Sequence, residues 1–329
     1  MQPTSHREAA ISRRWSSRTP ARCFGSGYVR GLIVGALTIL ICATLTSGGT
    51  VTRGDAVTVD RVRSEIDGSC GRLAASLAIA VEDAAAAGDV VGIAFVDREA
   101  GVYAGAGDTA ARFPAASLAK LFIADDYLYR GAAAGAPVDD ARMAWIVSLL
   151  ATSDDGVAEL LWTLGEGPAI IARVAARYEL PATSAVGAWW DTEVTAADVA
   201  RYYVGLLGGG GGLPEPARRL MIAGLQAAVP VAADGFDQDF GVRATLERLG
   251  RPGIKQGWMA TGDRTIRHST GFAGHDHRFV LVELADLDSG SPSIADDIAN
   301  AAASDRATSI VEAALPADLT AHTACADAP

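Results

Sequence analysis

Lysine is almost missing from this chain: its 329 residues contain two, Lys120 and Lys255, while arginine fills the cation role 26 times. A guanidinium keeps its proton near neutral pH, whereas a desolvated amine can release one, so both lysines are candidates for proton-transfer chemistry. Cysteine is scarce too, with four copies. Cys23 and Cys42 fall in an N-terminal arm and an apolar segment, leaving Cys70 and Cys325 either as a disulfide closing a very long loop outside the cell or as two unpaired thiols. Of the five histidines, His275 and His277 flank Asp276 between two strand patterns, which reads as a polar turn rather than a metal site. Asp234, Asp237 and Asp239 lack the glutamate spacing of a calcium loop and read as a solvated loop. The glycine run from Gly208 to Gly212 follows no strand, so it reads as a helix stop and not as a phosphate cradle.

Charge is placed unevenly. Residues 1–30 carry six arginines against one acid, and the remaining 299 carry 22 bases against 38 acids, a net of −16. So acidic a body excludes nucleic-acid binding as its function. From Gly31 to Thr52 no residue is charged, and Leu32–Leu45 is the apolar centre. The expectation is a basic cytoplasmic arm (1–30), a membrane anchor or export signal (31–52), a short linker (53–58) and one exported domain (59–329). Ile41, a large residue ahead of Cys42, weakens a lipid-anchor reading of that cysteine. Arg13-Arg14 lies too far from the apolar run for a twin-arginine signal.

Within the domain, Val59–Ala87 has a helical pattern that Gly88 ends. Val90–Asp97 and Gly101–Gly105 read as strands joined by a turn at Arg98–Ala100. Helical patterns then fill most of 117–250: Leu118–Arg130, Asp139–Thr152, Gly156–Leu164, Pro168–Tyr178, Thr195–Leu207 and Pro214–Ala227. Thr195-Ala-Ala-Asp198 resembles a capping box with Asp in place of Glu. Strand patterns return at Gly253–Met259, Arg267–Phe272 and Arg278–Leu287, and Ile294–Ala314 closes as a helix. Strands at both ends with helices between them imply an α+β fold: one sheet built from 59–116 and 251–316, an all-helical lobe from 117–250, a tail at 317–329, and a cleft between the two parts.

The candidate chemistry starts at Arg112-Phe-Pro-Ala-Ala-Ser117-Leu-Ala-Lys120. Residues three apart on a helix are neighbours, so the Lys120 amine can reach the Ser117 hydroxyl, a nucleophile beside a base. Ser153-Asp154-Asp155 offers a second hydroxyl flanked by acids at a turn between helices, with Ser153 as a helix N-cap. Lys255-Gln256-Gly257 puts the other amine on a strand. The two amines are expected to converge on the Ser117 hydroxyl.

In order and context these segments resemble the motifs S-x-x-K, S-D-N and K-T-G of the penicillin-recognising serine enzymes, which are D,D-peptidases, penicillin-binding proteins and class A β-lactamases. Ala158–Gly167 and Trp190–Asp198 extend the similarity, which covers roughly residues 60–315. The resemblance implies a mainly antiparallel sheet flanked by terminal helices. It implies that Ser117 attacks a carbonyl, that Lys120 takes its proton, and that Ser153 relays a proton to the leaving nitrogen. Lys255 would hold a substrate carboxylate and keep Lys120 deprotonated, with Asp155, Gln256, Gly257 and Trp258 contacting substrate and the backbone N–H groups of Ser117 and Trp258 forming the oxyanion hole. No metal or organic cofactor is implied. The partner would be a peptidoglycan peptide or a β-lactam-like amide, met by a monomer.

Departures qualify the activity. Asp155 stands where asparagine is usual and would pair with Lys120 and favour its charged form. Gln256 replaces a small hydroxyl residue, and Trp258 is bulky. The segment Ala182–Trp189 contains no carboxylate to activate a deacylating water, with Glu179 and Glu193 only flanking it. Trp189-Trp190 either packs under the cleft or lines it. A serine acyl-transfer hydrolase with a persistent acyl-enzyme is one expectation, and a catalytically impaired protein that binds wall fragments or a protein partner is the other.

Overall fold

The computed structural model describes residues 73–136, 138–289 and 297–315. The basic arm, the 31–52 segment, all four cysteines and the 317–329 tail lie outside the described residues.

A helix α1 over residues 73–86 buries Leu73, Leu77, Ala80 and Ala84, one stripe at helical spacing, and ends at Gly88, whose φ is +89°. Strand β1 (Val90–Asp97) and β2 (Val102–Gly107) follow as a hairpin. Strands β5 (Gly253–Thr261), β6 (Arg264–Ala273) and β7 (Phe279–Asp288) complete an antiparallel sheet of order β2-β1-β7-β6-β5. Because β1 and β7 are central, both of their faces are covered. Ile93, Phe95, Leu281, Ala285 and Leu287 pack with α1 and with the last helix, α9 (Asp297–Ala314). Ala94, Val96, Val280, Val282 and Leu284 face the helical lobe. A strand buried on both sides needs no polar alternate residues, which is why β1 is an unbroken apolar run.

The lobe contains α2 (Ala119–Ala133), α3 (Asp140–Ala151), α4 (Asp155–Leu164), α5 (Pro168–Tyr178), α6 (Ala196–Gly208), α7 (Glu215–Gln226) and the short α8 (Arg243–Glu247). Helix α2 is its axis and is buried nearly all round from Ala119 to Asp126. Two carboxylates go inward with it. Asp126 takes a two-pronged contact from Arg173 at 2.8 and 2.7 Å, and Asp125 meets Arg177, Tyr178 Oη at 2.6 Å and Tyr202 Oη at 3.3 Å. Buried charge is tolerable here because every partner converges on it.

The α+β architecture and most element positions agree with the sequence expectation, with differences in detail, among them the unexpected α8. A two-residue strand β3 (Phe113–Pro114) pairs with β4 (Glu193–Val194), and a 3-10 turn (Ala116–Leu118) precedes α2. Pairings that short leave no periodicity to read. Thr195 does cap α6, accepting from the Asp198 N–H, but the Asp198 carboxylate turns outward and accepts from Ala182 N and Thr183 Oγ1, tying down the 180s loop.

Replacing Asp125 by alanine strands a guanidinium and two phenols in the lobe. A loss of about 3 kcal/mol is expected in urea unfolding, well above the effect of removing an exposed ion pair such as Arg219–Glu215.

Candidate active site

Ser117 sits in the 3-10 turn between β3 and α2, and both neighbours of that turn are pinned. Ala115 N donates to Thr192 O at 2.6 Å, and Pro114 O meets His268 Nε2 at 2.9 Å. The residue before the nucleophile, Ala116, has φ +47°, a left-handed conformation that costs a non-glycine residue on the order of 1 kcal/mol or more and persists only when surroundings enforce it. Part of that enforcement is β5. At Gly257 a Cβ would come within 3.0 Å of Ala115 O and 3.3 Å of Ser117 N, so only glycine lets the sheet edge lie this close to the serine backbone.

Lys120, in the first turn of α2, is wholly buried, and its Nζ lies 2.9 Å from Ser117 Oγ, 2.6 Å from Ser153 O, 3.0 Å from Ser153 Oγ and 2.5 Å from Asp155 Oδ1. The Trp189 ring covers it at 4.8 Å. Lys255 Nζ, also buried, lies 2.9 Å from Ser153 Oγ and 2.9 Å from Gln256 O. The hydroxyl shared by the two amines is therefore Ser153, and Lys120 alone reaches Ser117. A hydroxyl has one proton to give and two lone pairs, so it can accept from one amine while donating to the other.

Burial is the largest influence on both amines. It pulls Lys120 below the ordinary lysine range even though Asp155 opposes the shift, and it pulls Lys255 far down, with the neighbouring Lys120 adding to the effect. The sequence expectation that Asp155 pairs with Lys120 agrees with the geometry, but desolvation outweighs the pairing. Lys255 correspondingly binds its proton less tightly than an exposed lysine does.

Ser153 is not the N-cap of α4. Asp154 is, accepting from Val157 N at 3.0 Å and from Ser148 Oγ at 2.8 Å. Ser153 instead takes a left-handed φ of +56°, and its carbonyl faces Lys120. Gln256 is also displaced from its expected role. It alternates with Lys255 along β5, so it faces away from the cleft, in register with Ser269 and then Glu283. Its amide atoms and both Glu283 oxygens find no partner among the described residues, and burial raises the pKa of the Glu283 carboxyl.

Above Ser117 opens a cleft of about 630 Å³. Trp189, Trp190 and Trp258 wall it, and Asp155, Glu159 and Asp234 line it. Neither acid flanking the gap lines the cleft: Glu193 is held by Arg112 at 2.6 Å and by Ser184, and Glu179 lines a separate surface pocket with Arg201. The His275–Asp276–His277 turn lies between β6 and β7, with His275 and Asp276 paired at the surface. Among the described residues no three side chains gather in the manner of a metal site.

Sequence reading missed His268. It is fully buried, its Nδ1 accepts from Ala285 N at 3.1 Å, and its Nε2–H must therefore donate to Pro114 O. One imidazole thus fastens β7 and β6 to the short strand that leads into Ser117. A lone histidine in a strand gives no sequence signal for this. Asp234 and Glu159 were missed for a similar reason, since exposed acids on a loop and a helix look like solvated surface.

No protein-family model matches the chain. Proteins from Mycobacterium tuberculosis and Mycobacterium bovis named "Putative lipoprotein LppW" are 37% identical to it over 216 residues, 64% of this chain and 68% of theirs. Solved structures of similar fold include a β-lactamase from Sphaerobacter thermophilus (TM-score 0.58, 17% identity, covering 73% of this chain and 96% of that one). Another is from Xanthomonas campestris (TM-score 0.58, 20% identity, 74% and 97%). A third is from Chitinophaga pinensis (TM-score 0.56, 13% identity, 71% and 96%).

Burial pushes the His268 imidazole down from 6.5 to about 4. Between those pH values the unfolded chain binds a proton that the folded one excludes, so this histidine's contribution is complete above pH 6.5 and fades as pH falls toward 4. Urea midpoints measured across that window should decline by an amount worth about 3 kcal/mol more in the wild type than in His268→Gln. Parallel curves for the two proteins would refute the assignment.

Proposed function

Since the chain belongs to the family of the mycobacterial LppW lipoproteins and carries the β-lactamase fold, we propose that it is a serine acyl-transfer hydrolase with Ser117 as nucleophile. The observation that carries this reading is the 2.9 Å contact between Ser117 Oγ and an amine that burial holds below its usual pKa. A serine hydroxyl is a weak nucleophile on its own and needs a base within hydrogen-bond reach.

Ser117 Oγ attacks the carbonyl carbon of an amide while its proton passes to Lys120 Nζ. The oxyanion of the tetrahedral adduct is met by the backbone N–H groups of Ser117 and Trp258, each worth on the order of 3 kcal/mol in comparable sites. Collapse breaks the C–N bond, and Ser153 Oγ gives its proton to the leaving nitrogen and is reprotonated through Lys120 or Lys255. Water then hydrolyses the ester, returning the acid and the free serine. That last step is slow in this proposal, because Trp189 covers Lys120 where a deacylating carboxylate and its water would be needed. Substrates are peptidoglycan-like or β-lactam amides. The chain acts outside the cytoplasm, attached to a membrane, in keeping with the lipoprotein name of its relatives. No helix among the described residues is long and apolar enough to cross a membrane, and the candidate segment 31–52 lies outside them.

A second reading is favoured by the 2.5 Å contact of Asp155 with Lys120, which retains a proton on the base, and by the turning of Gln256 out of the cleft. In it the cleft binds wall fragments or a protein partner without turnover.

Incubation with a fluorescent penicillin followed by intact-mass measurement separates the two. A stable adduct that Ser117→Ala abolishes supports the hydrolase, and absence of any adduct from the penicillin and from an acyl thioester alike supports the binding role. Asp155→Asn removes the carboxylate that holds a proton on Lys120, so acylation at pH 7 should speed up about tenfold and its rise with pH should begin lower than in the wild type. An unchanged or slower rate would show that Asp155 is not restraining the base.

A further inference from the structure

The cleft above Ser117 has no positive charge to offer. Its lining includes three carboxylates, Asp155, Glu159 and Asp234, and neither lysine nor arginine. The nearby cations are all withdrawn. Lys120 and Lys255 are buried beneath it and occupied by Ser117, Ser153, Asp155 and Gln256. Arg267 is opposite Trp258 on the neighbouring strand, yet it is buried, with Nη2 on Asn300 at 2.6 Å and Nη1 on Ile266 O at 2.8 Å. Phe236 lies over its guanidinium at 5.0 Å and stacks on Trp258 at 4.7 Å, which seals it from the cleft.

The acids are placed so that they reinforce one another. Asp155 and Glu159 are four apart on α4 and share a face, and the buried Lys120 beside them is already held by Asp155 at 2.5 Å, which leaves the Glu159 side of the cleft without that cation. Asp234 comes from a separate segment and is oriented by the Trp258 indole N–H at 3.3 Å. Concave, low-dielectric walls concentrate such a field, and the faces of Trp189, Trp190 and Trp258 attract a cation by their quadrupoles. A ligand carboxylate would meet carboxylates and ring faces, with no cationic side chain in the lining to receive it.

From this we infer that the substrate of the Ser117 site is cationic: a short peptide or aminoacyl amide or ester with a protonated amine beside the scissile carbonyl, received between Asp155, Glu159 and Asp234. The inference rests on the acyl-transfer reading and narrows it. The ammonium is a spectator that neither gains nor loses a proton during acylation, and it contributes by seating the carbonyl over Ser117.

Three acetyl-dipeptide thioesters, identical except for a lysine, norleucine or glutamate side chain next to the reacting carbonyl, test it on the full chain by intact mass. At low ionic strength the lysine thioester should acylate Ser117 at least ~10-fold faster than the glutamate one, a ratio that shrinks several-fold at roughly 0.5 M salt and in Glu159→Gln/Asp234→Asn. Acylation with equal or reversed preference overturns the inference and leaves the hydrolase reading standing. Ser117→Ala titrated by NMR with the corresponding amides separates the opposite case. If no thioester acylates but the lysine amide binds more tightly than the glutamate amide, the hydrolase reading fails and the charge preference survives. Equal binding, or none by any of the three, overturns the inference.

Discussion

Two buried amines on either side of one serine hydroxyl set the terms for the rest of this molecule. An ammonium in a protein interior is strongly disfavoured unless something compensates it. Around Ser153 the compensation is partial: Asp155 supports Lys120, while Lys255 has only the hydroxyl and a backbone carbonyl. The cluster is therefore poised to hold fewer protons than two free lysines would, and Ser153 Oγ lies within hydrogen-bond distance of both amines. Packing makes this possible. Trp189 excludes water from one amine, and the sheet edge excludes it from the other.

Keeping the hydroxyls in place requires backbone that would not hold its shape alone. Ala116 and Ser153 both adopt left-handed φ, and each stands beside a residue of the cluster. The surrounding structure supplies the constraint: His268 and Thr192 fasten the segment before Ser117, and Gly257 lets β5 lie against it. Behind Ser153, Asp154 ends one turn and starts α4 with the same carboxylate. Strain at the nucleophile is thus borne by elements far apart in the chain.

Around this cluster of serines and lysines the cleft has a character of its own. Acids and indoles line it, and the one arginine near its sheet wall is turned back toward α9. The same desolvation that lowers the proton affinity of Lys120 lowers that of Lys255 as well. A body that is acidic overall presents an acidic mouth here as well.

The sequence by itself determined the secondary elements and the fold class, because apolar periodicity, glycine stops and the Pro168 helix start act locally. Residues 90–97 and 168–178 fall where they were expected, to the residue. It also singled out Ser117, Lys120, Ser153 and Lys255, since a chain that otherwise uses arginine marks its exceptions. Tertiary structure decided which hydroxyl the amines share, that Asp154 and not Ser153 caps α4, that Gln256 turns away from the cleft, that Trp189 covers the base, and that His268 braces the nucleophile. Those outcomes depend on contacts between residues as much as 154 positions apart. They also depend on how completely water is removed from a group, and desolvation is a property of the packed whole that no short stretch of sequence carries.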